Sequence, residues 1–330
     1  MKLRTLGPFS VSAIGLGCMN LSHAYGTPPD TQSATRLLLR ALDLGYTLFD
    51  TAALYGFGAN ETLVGHALSH RRAQFVLTTK CGVFRNAAGV REIDGRPAIL
   101  RQTVDDSLRR LRVECVDICY LHRWDKRVPI EDSVGALAEM VAKGKIRAIG
   151  LSEISAPTLA RAHRVHPIAA VQSEYSLWTR NPEIAVLEQC RRLGVSFVAF
   201  SPLGRGFLGG TLGDPNSLEP KDIRRQMPRF EPANYAVNLA LYRSLRDIAQ
   251  EVGCTTAQLA LTWLLGQGTD IIPIPGTTRI DHLEENAAAE QIALSLDVRK
   301  RLDTLINAKT VLGARYNTAT QAEIDTEEFT

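Results

Sequence analysis

The sequence predicts a (β/α)8 TIM barrel with an N-terminal β-hairpin, and three observations carry that prediction. Eight short apolar runs, at 14–17, 46–50, 75–80, 116–122, 146–151, 169–173, 196–200 and 270–274, alternate with stretches of helical spacing. A unit of amphipathic helix, glycine and β-rich run returns at Gly45, Gly144 and Gly194, the pattern of repeated βαβ units. Polar residues gather where the runs end: Phe49-Asp50, Thr79-Lys80, Leu121-His122, Leu151-Ser152-Glu153, Val171-Gln172, Phe200-Ser201 and Pro275-Gly276-Thr277. A barrel carries its active site at those carboxyl ends, whereas an open doubly wound sheet, the alternative, carries it at one crevice.

Taken in order, a short hairpin (Leu3 to Leu6, then Phe9 to Val11) leads into Ile14-Gly-Leu-Gly17 and a polar loop through Pro29. Ala34, Leu37, Leu38, Ala41 and Leu42 then recur at the spacing of one helical stripe, with Gly45 at the left-handed stop position. Alternation along the next strand sets Tyr46, Leu48 and Asp50 on one face and Thr47 and Phe49 on the other. Val76, Thr78 and Lys80 share a face in strand three, and Val116, Ile118, Tyr120 and His122 in strand four, so three polar residues end inward rows. Leu100, Val104, Leu108 and Leu111 mark one intervening helix, and Val134, Leu137, Ala138 and Val141 another. A long loop follows strand seven, over 203–233, and a polar, acidic tail occupies 309–330 after extra C-terminal helices.

At 330 residues, with no low-complexity tract or polar linker, residues 1–330 read as one barrel domain. A net charge of +3 with interspersed signs makes no case for a nucleic-acid surface. No secretory signal or membrane-spanning run is visible, which predicts a cytoplasmic protein with no membrane partner. The six cysteines form no CxxC pair and no zinc spacing, so buried free thiols and no metal are expected. The oligomeric state is not encoded in any of these features.

A lysine ending an apolar strand is costly unless paired, and Asp50 on the neighbouring strand is its counter-ion. Tyr55, five residues beyond Asp50, can share that ammonium. A phenol loses its proton near pH ~10, and a nearby cation is expected to bring it closer to working pH as a proton donor. His122 can bond the same substrate oxygen. At the other end of the site, Gly276-Thr-Thr-Arg279 precedes a helix bearing Leu283 and Ala287; amides at a helix start bind phosphate, and Arg279 adds a charge-assisted clamp. Met19, Tyr25, Trp124 and Trp178 fall at the barrel mouth as candidate apolar substrate wall. Gly204-Arg-Gly206-Phe-Leu-Gly209 matches GxGxxG, but no helix follows to receive a pyrophosphate, so its glycines are read as a loop lying across an extended cofactor. Lys221, Arg224, Arg225 and Arg229 follow in that loop.

With Asp50, Tyr55, Lys80 and His122 in place, the chain resembles the aldo-keto reductase superfamily, in its bacterial, fungal and plant branch. The likeness runs from the hairpin to about Asn286 and includes Gly150-Leu-Ser-Glu153, Tyr175-Ser-Leu-Trp178, Ser201-Pro-Leu-Gly-Arg-Gly206 and Pro275-Gly-Thr-Thr-Arg279. It implies that NADPH delivers a hydride to an aldehyde or ketone while Tyr55 protonates the oxygen, NADP+ and an alcohol being the products. It further implies cofactor contacts from Ser152, Glu153 and Gln172 to the carboxamide, stacking on Phe200, and a loop contribution from Ser201, Pro202, Leu203, Arg205 and Gly206. Gly276, Thr277, Arg279, Glu285 and Asn286 take the adenosine 2′-phosphate by the same resemblance. Glu153 stands where many members have Asn and, as a carboxylate, can only accept hydrogen bonds. A module that binds NADPH and reports on it, with little turnover, is the alternative on this fold.

Overall fold

The computed structural model describes every residue except His23, Ala87, Ala88, Thr211 and Thr330. A hairpin of β1 (Leu3–Leu6) and β2 (Phe9–Ser12) opens the chain, and β3 (Leu16–Gly17), α1 (Thr31–Asp43) and β4 (Leu48–Asp50) follow. Next come α2 (Ala59–Leu68), β5 (Val76–Cys81), a second hairpin of β6 (Val83–Arg85) and β7 (Arg91–Ile93), α3 (Pro97–Leu111) and β8 (Val116–Leu121). The alternation continues through α4 (Ile130–Ala142), β9 (Ile146–Ser152), α5 (Ala156–Val165), β10 (Ile168–Glu174), α6 (Val186–Leu193) and β11 (Ser196–Phe200). After the long loop stand α7 (Pro232–Val252), α8 (Thr256–Leu265), β12 (Ile271–Pro273), α9 (Ile280–Ala288), α10 (Leu296–Leu305) and α11 (Thr318–Ala322).

The sheet order is β3-β4-β5-β8-β9-β10-β11-β12 with every neighbouring pair parallel. The ring closes because the Gly15 and Gly17 amides donate to the Pro273 and Pro275 carbonyls at 2.9 and 3.1 Å. The eight strands coincide with the eight apolar runs of the sequence. Leu48, Val76, Ile118, Tyr120, Ala148, Ala170, Val198 and Ile272 fill the barrel interior, and Leu6, Phe9 and Val11 of the first hairpin plug it from the amino-terminal end. A larger apolar layer lies between sheet and helices. Both faces of each strand are therefore buried, as continuous apolar runs require.

Two residues leave the rows that alternation assigned them. Tyr46 packs in the outer layer and donates its hydroxyl to the Leu283 carbonyl at 2.8 Å. The physical reason is that β4 begins only at Leu48; Leu44 and Gly45 (φ 91°) form a turn and Tyr46 and Thr47 follow it outside the strand, where period two does not apply. Val116, at the first position of β8, also faces outward. The β6–β7 hairpin and α11 were not anticipated. Both stand over the carboxyl ends of the strands. Among the described residues no helix is long and apolar enough to cross a membrane.

Candidate active site

Asp50 ends β4 and Lys80 lies near the end of β5, its side chain 1% exposed. The Lys80 ammonium donates to Asp50 Oδ1, to the Thr51 carbonyl at 2.9 Å and to the Tyr55 hydroxyl at 3.2 Å. The other carboxylate oxygen of Asp50 accepts from the Thr78 hydroxyl at 2.7 Å and from Gln172 Nε2 at 2.8 Å. Tyr55 is delivered by a tight turn in which Gly56, Phe57 and Gly58 all have positive φ. The His122 ring meets it edge-on, with centroids 5.9 Å apart and planes at 85°. The four residues singled out in the sequence thus form one chain of contacts, Asp50 to Lys80 to Tyr55 to His122.

Burial pushes the Tyr55 phenol up, and the Lys80 ammonium, which opposes it, only reduces the rise. The sequence reading expected a net fall. Full enclosure was not foreseeable from the chain, and desolvation of the anion outweighs one cation. For Lys80 the effects are reversed: burial disfavours the ammonium, but Asp50 and Tyr55 together outweigh it and the net direction is up. The resting arrangement is a protonated phenol against a protonated lysine.

These groups open on a cavity of about 730 Å³. Ser152, Gln172 and Phe200 line it, as do Met19 and Tyr25. Ser201, Pro202, Leu203, Arg205 and Gly206 line the part beneath the long loop, and Gly276, Thr277, Arg279, Glu285 and Asn286 line its far end. At that end the backbone runs too close for a side chain: a Cβ on Gly276 would meet Asn20 Oδ1 at 2.3 Å and the Gly17 carbonyl at 2.9 Å. The Arg279 amide donates to Thr277 Oγ1 at 3.0 Å, and its exposed guanidinium pairs with Asp281, Nε to Oδ1 at 3.0 Å. The long loop crosses the cavity: the Ile223 amide donates to the Ala24 carbonyl at 3.1 Å and Arg205 reaches the Tyr25 hydroxyl at 3.3 Å.

Several expected contacts go elsewhere. Glu153 does not line the cavity. Its φ of 54° turns the side chain beneath the strand end, where Arg315 donates to both carboxylate oxygens and Thr326 Oγ1 and the Glu174 amide complete the set. Trp178 is buried in a cluster with Phe207 (4.0 Å, stacked) and Phe230, at the base of the long loop. Trp124 closes a turn by donating from Nε1 to the Val128 carbonyl at 2.9 Å. Neither tryptophan lines the cavity. Of the loop arginines, Arg224 pairs with Asp222 at 2.7 Å, Arg225 donates to the Leu218 carbonyl, and Arg229 donates to Thr179 and the Gly313 carbonyl.

Arg123, Asn20 and the tail residues Tyr316, Asn317, Thr320 and Glu323, which no sequence motif marks as site residues, also line the cavity. Glu323 pairs with Arg91 of β7 at 2.6 Å, so tail and second hairpin join above the mouth. Positive φ at non-glycine residues concentrates here: Ala24, Phe57, Glu153, Ser201 and Arg205, with Arg112 at a helix end the remaining case among the described residues. Such strain persists where surrounding structure enforces it, commonly at functional sites. Among the described residues no group of three or more His, Cys, Asp or Glu side chains is arranged to hold a metal ion.

Comparison with known proteins agrees with this geometry. The Aldo/keto reductase family model matches residues 13–307. A probable aldo-keto reductase of Glycine max is 42% identical over 317 residues, 96% of this chain and 91% of its own length. An NADP(+) aldo-keto reductase of Schizosaccharomyces pombe is 42% identical over 95% of this chain and 94% of its own. Among solved structures, a glycerol dehydrogenase of Gluconobacter oxydans superposes with a TM-score of 0.85 at 30% identity, covering 94% of this chain and 95% of that one. A Klebsiella pneumoniae aldo/keto reductase solved with NADP and acetate gives 0.74 at 26% identity over 99% of this chain and all of its own. A family model over residues 13–307, two relatives at 42% identity over nearly the whole chain and a closed eight-stranded barrel lead to one conclusion: the chain belongs to the aldo/keto reductase family.

Proposed function

We propose that this oxidoreductase reduces an aldehyde or ketone to the alcohol with NADPH, using Tyr55 as general acid. The observation that carries the reading is the buried Lys80, whose ammonium touches both the Asp50 carboxylate and the Tyr55 hydroxyl at the inner end of the cavity. NADP(+) appears in the name of the S. pombe relative and NADP in the K. pneumoniae structure, which supports the choice of cofactor. The cavity fits an extended dinucleotide: a flat aromatic wall at Phe200 near the tetrad, glycine backbone at Gly276, and the start of α9 beside Arg279.

When bound, NADPH supplies the hydride that adds to the carbonyl carbon. Tyr55 donates its proton to the carbonyl oxygen as that oxygen gains charge, and is left as a phenolate. Lys80 stabilises the phenolate at contact distance, which lowers the cost of a transfer that burial alone would oppose. Asp50 keeps Lys80 charged, and Thr78 and Gln172 fix the Asp50 carboxylate from its other oxygen. His122, edge-on to Tyr55, orients the same substrate oxygen. Solvent returns the proton to Tyr55 after the alcohol leaves. Ser152, Gln172 and Phe200 would hold the nicotinamide, and Arg279 with Thr277, Glu285 and Asn286 the adenosine phosphate end. Loss of NADPH absorbance with a panel of aldehydes and ketones tests the reading; sustained turnover supports it, and one slow oxidation that stalls favours a cofactor-sensing module.

A further inference from the structure

The arginines around the cavity are not equivalent. Five line it: Arg91, Arg123, Arg205, Arg224 and Arg279. Four are neutralised by a carboxylate, Arg91 by Glu323, Arg205 by Glu174, Arg224 by Asp222 and Arg279 by Asp281. Arg123 has no carboxylate partner among the described residues. It follows His122 directly, so it stands at the reacting end of the cavity and not at the far end beside α9.

Its side chain is nonetheless held in place. Nη1 donates to the His122 carbonyl at 2.7 Å and lies 3.3 Å from Ser152 Oγ, while Nε is buried with no hydrogen-bond partner among the described residues. A guanidinium has five donors in a rigid fork. With Nη1 tethered and Nε enclosed, Nη2 is the donor left for something that enters the cavity. The surroundings do not neutralise the charge either. Arg205, Arg229 and Arg315 stand against Glu153, Glu174 and Glu328, three cations to three anions, and Arg123, which acts on both Glu153 and Tyr55, is one cation beyond that balance. A cleft with low-dielectric walls and an excess of one sign concentrates the opposite ion.

We propose that Arg123 is a specificity-determining residue that binds a carboxylate carried by the substrate, so that oxo-acids are reduced in preference to neutral aldehydes of the same shape. This rests on the carbonyl-reductase reading above. The substrate carbonyl sits against Tyr55 and His122, and its carboxylate takes the open side of the Arg123 fork in charge-assisted hydrogen bonds. Such contacts are worth on the order of ten- to a hundredfold in affinity.

The test compares two matched pairs, 4-formylbenzoate with its methyl ester and 4-oxobutanoate with its methyl ester, in the full-length enzyme with NADPH. Expected are a wild-type kcat/KM ratio of acid to ester above about ten, and a fall of that ratio by about tenfold or more in Arg123→Gln, carried by the KM of the acids. Arg123→Lys, which keeps the charge without the fork, should fall between. If acid and ester lose equally in Arg123→Gln, the residue only holds His122 and Ser152 in place and the proposal is overturned. A wild-type ratio near one overturns it without any variant. Failure of wild-type enzyme to turn over any of the four aldehydes strikes instead at the carbonyl-reductase reading.

Discussion

Glu153 and Arg315, 162 positions apart, meet in a two-point ion pair that solvent does not reach, Nη1 to Oε1 at 3.1 Å and Nη2 to Oε2 at 2.6 Å. Thr326 donates to the same carboxylate at 2.6 Å, and the Asp325 amide to the Glu153 carbonyl at 2.9 Å. The end of β9 is thereby the anchor of the tail that carries Tyr316, Asn317, Thr320 and Glu323 over the cavity.

Breaking that pair from one side should be expensive. Arg315→Met leaves a buried carboxylate without its cation, a loss of about 3–5 kcal/mol, whereas replacing both partners by Glu153→Gln with Arg315→Met should restore most of it. Urea denaturation of the two variants checks this. Equal destabilisation of single and double variants would show that the residues act independently.

The same pair sets an acid limit. Burial works to raise the Glu153 pKa, but Arg315 and Arg123 outweigh it and the net direction is down from the ordinary value of 4.5. The folded state therefore binds this proton less readily than the unfolded chain. The stabilisation is full above about pH 4.5 and is lost as pH falls through the lower folded-state value. Glu153→Gln should flatten stability against pH in that acid window and leave the slope between pH 6 and 8 unchanged, as read from urea midpoints.

Arg279 ties its exposed guanidinium to Asp281, so under the proposed function a cofactor phosphate would have to compete with that carboxylate. Arg279→Ala should weaken NADPH by one to two decades, from a charge-assisted contact worth roughly 1.5–3 kcal/mol, and affect NADH little. Asp281→Asn should tighten NADPH. Fluorescence titration with both cofactors measures each constant, and equal losses for NADPH and NADH would remove the phosphate clamp.

How much of this was legible depended on distance along the chain. Asp50, Lys80 and His122 could be read because strand alternation near a polar end is local, and the Gly276 turn because its glycine and flanking threonines are adjacent in sequence. Trp178 was assigned to the substrate wall by its position after a strand; nothing local signals that Phe207 and Phe230 would enclose it. Glu153 was read as facing the cofactor, and only a φ of 54° redirects it to a tail residue that no sequence pattern connects to it. The upward pKa of Tyr55 was missed for a related cause: Lys80 as a neighbour could be inferred, but complete burial is a property of the assembled mouth.

The loop over the cavity is held to the opposite rim by Ile223–Ala24 and Arg205–Tyr25 contacts. With NADP+ beneath the loop, as proposed, its exchange would require opening, and such steps often limit turnover. Stopped-flow mixing of enzyme-bound NADPH with excess aldehyde should show a fast burst followed by slower cycling. Shortening the chain between Asp214 and Leu218 should speed the slow phase and weaken NADPH together. A single-phase trace in the wild type would place chemistry, not opening, as the slow step.

The claim that Tyr55 supplies the proton is tested most directly by single-turnover oxidation of bound NADPH in Tyr55→Phe. The substitution removes one oxygen and leaves the Lys80–Asp50 pair intact. General-acid loss predicts a rate reduced by about 10²–10⁴-fold with NADPH affinity nearly unchanged. Retention of more than about a tenth of the wild-type rate, with the cofactor bound, would contradict the assignment.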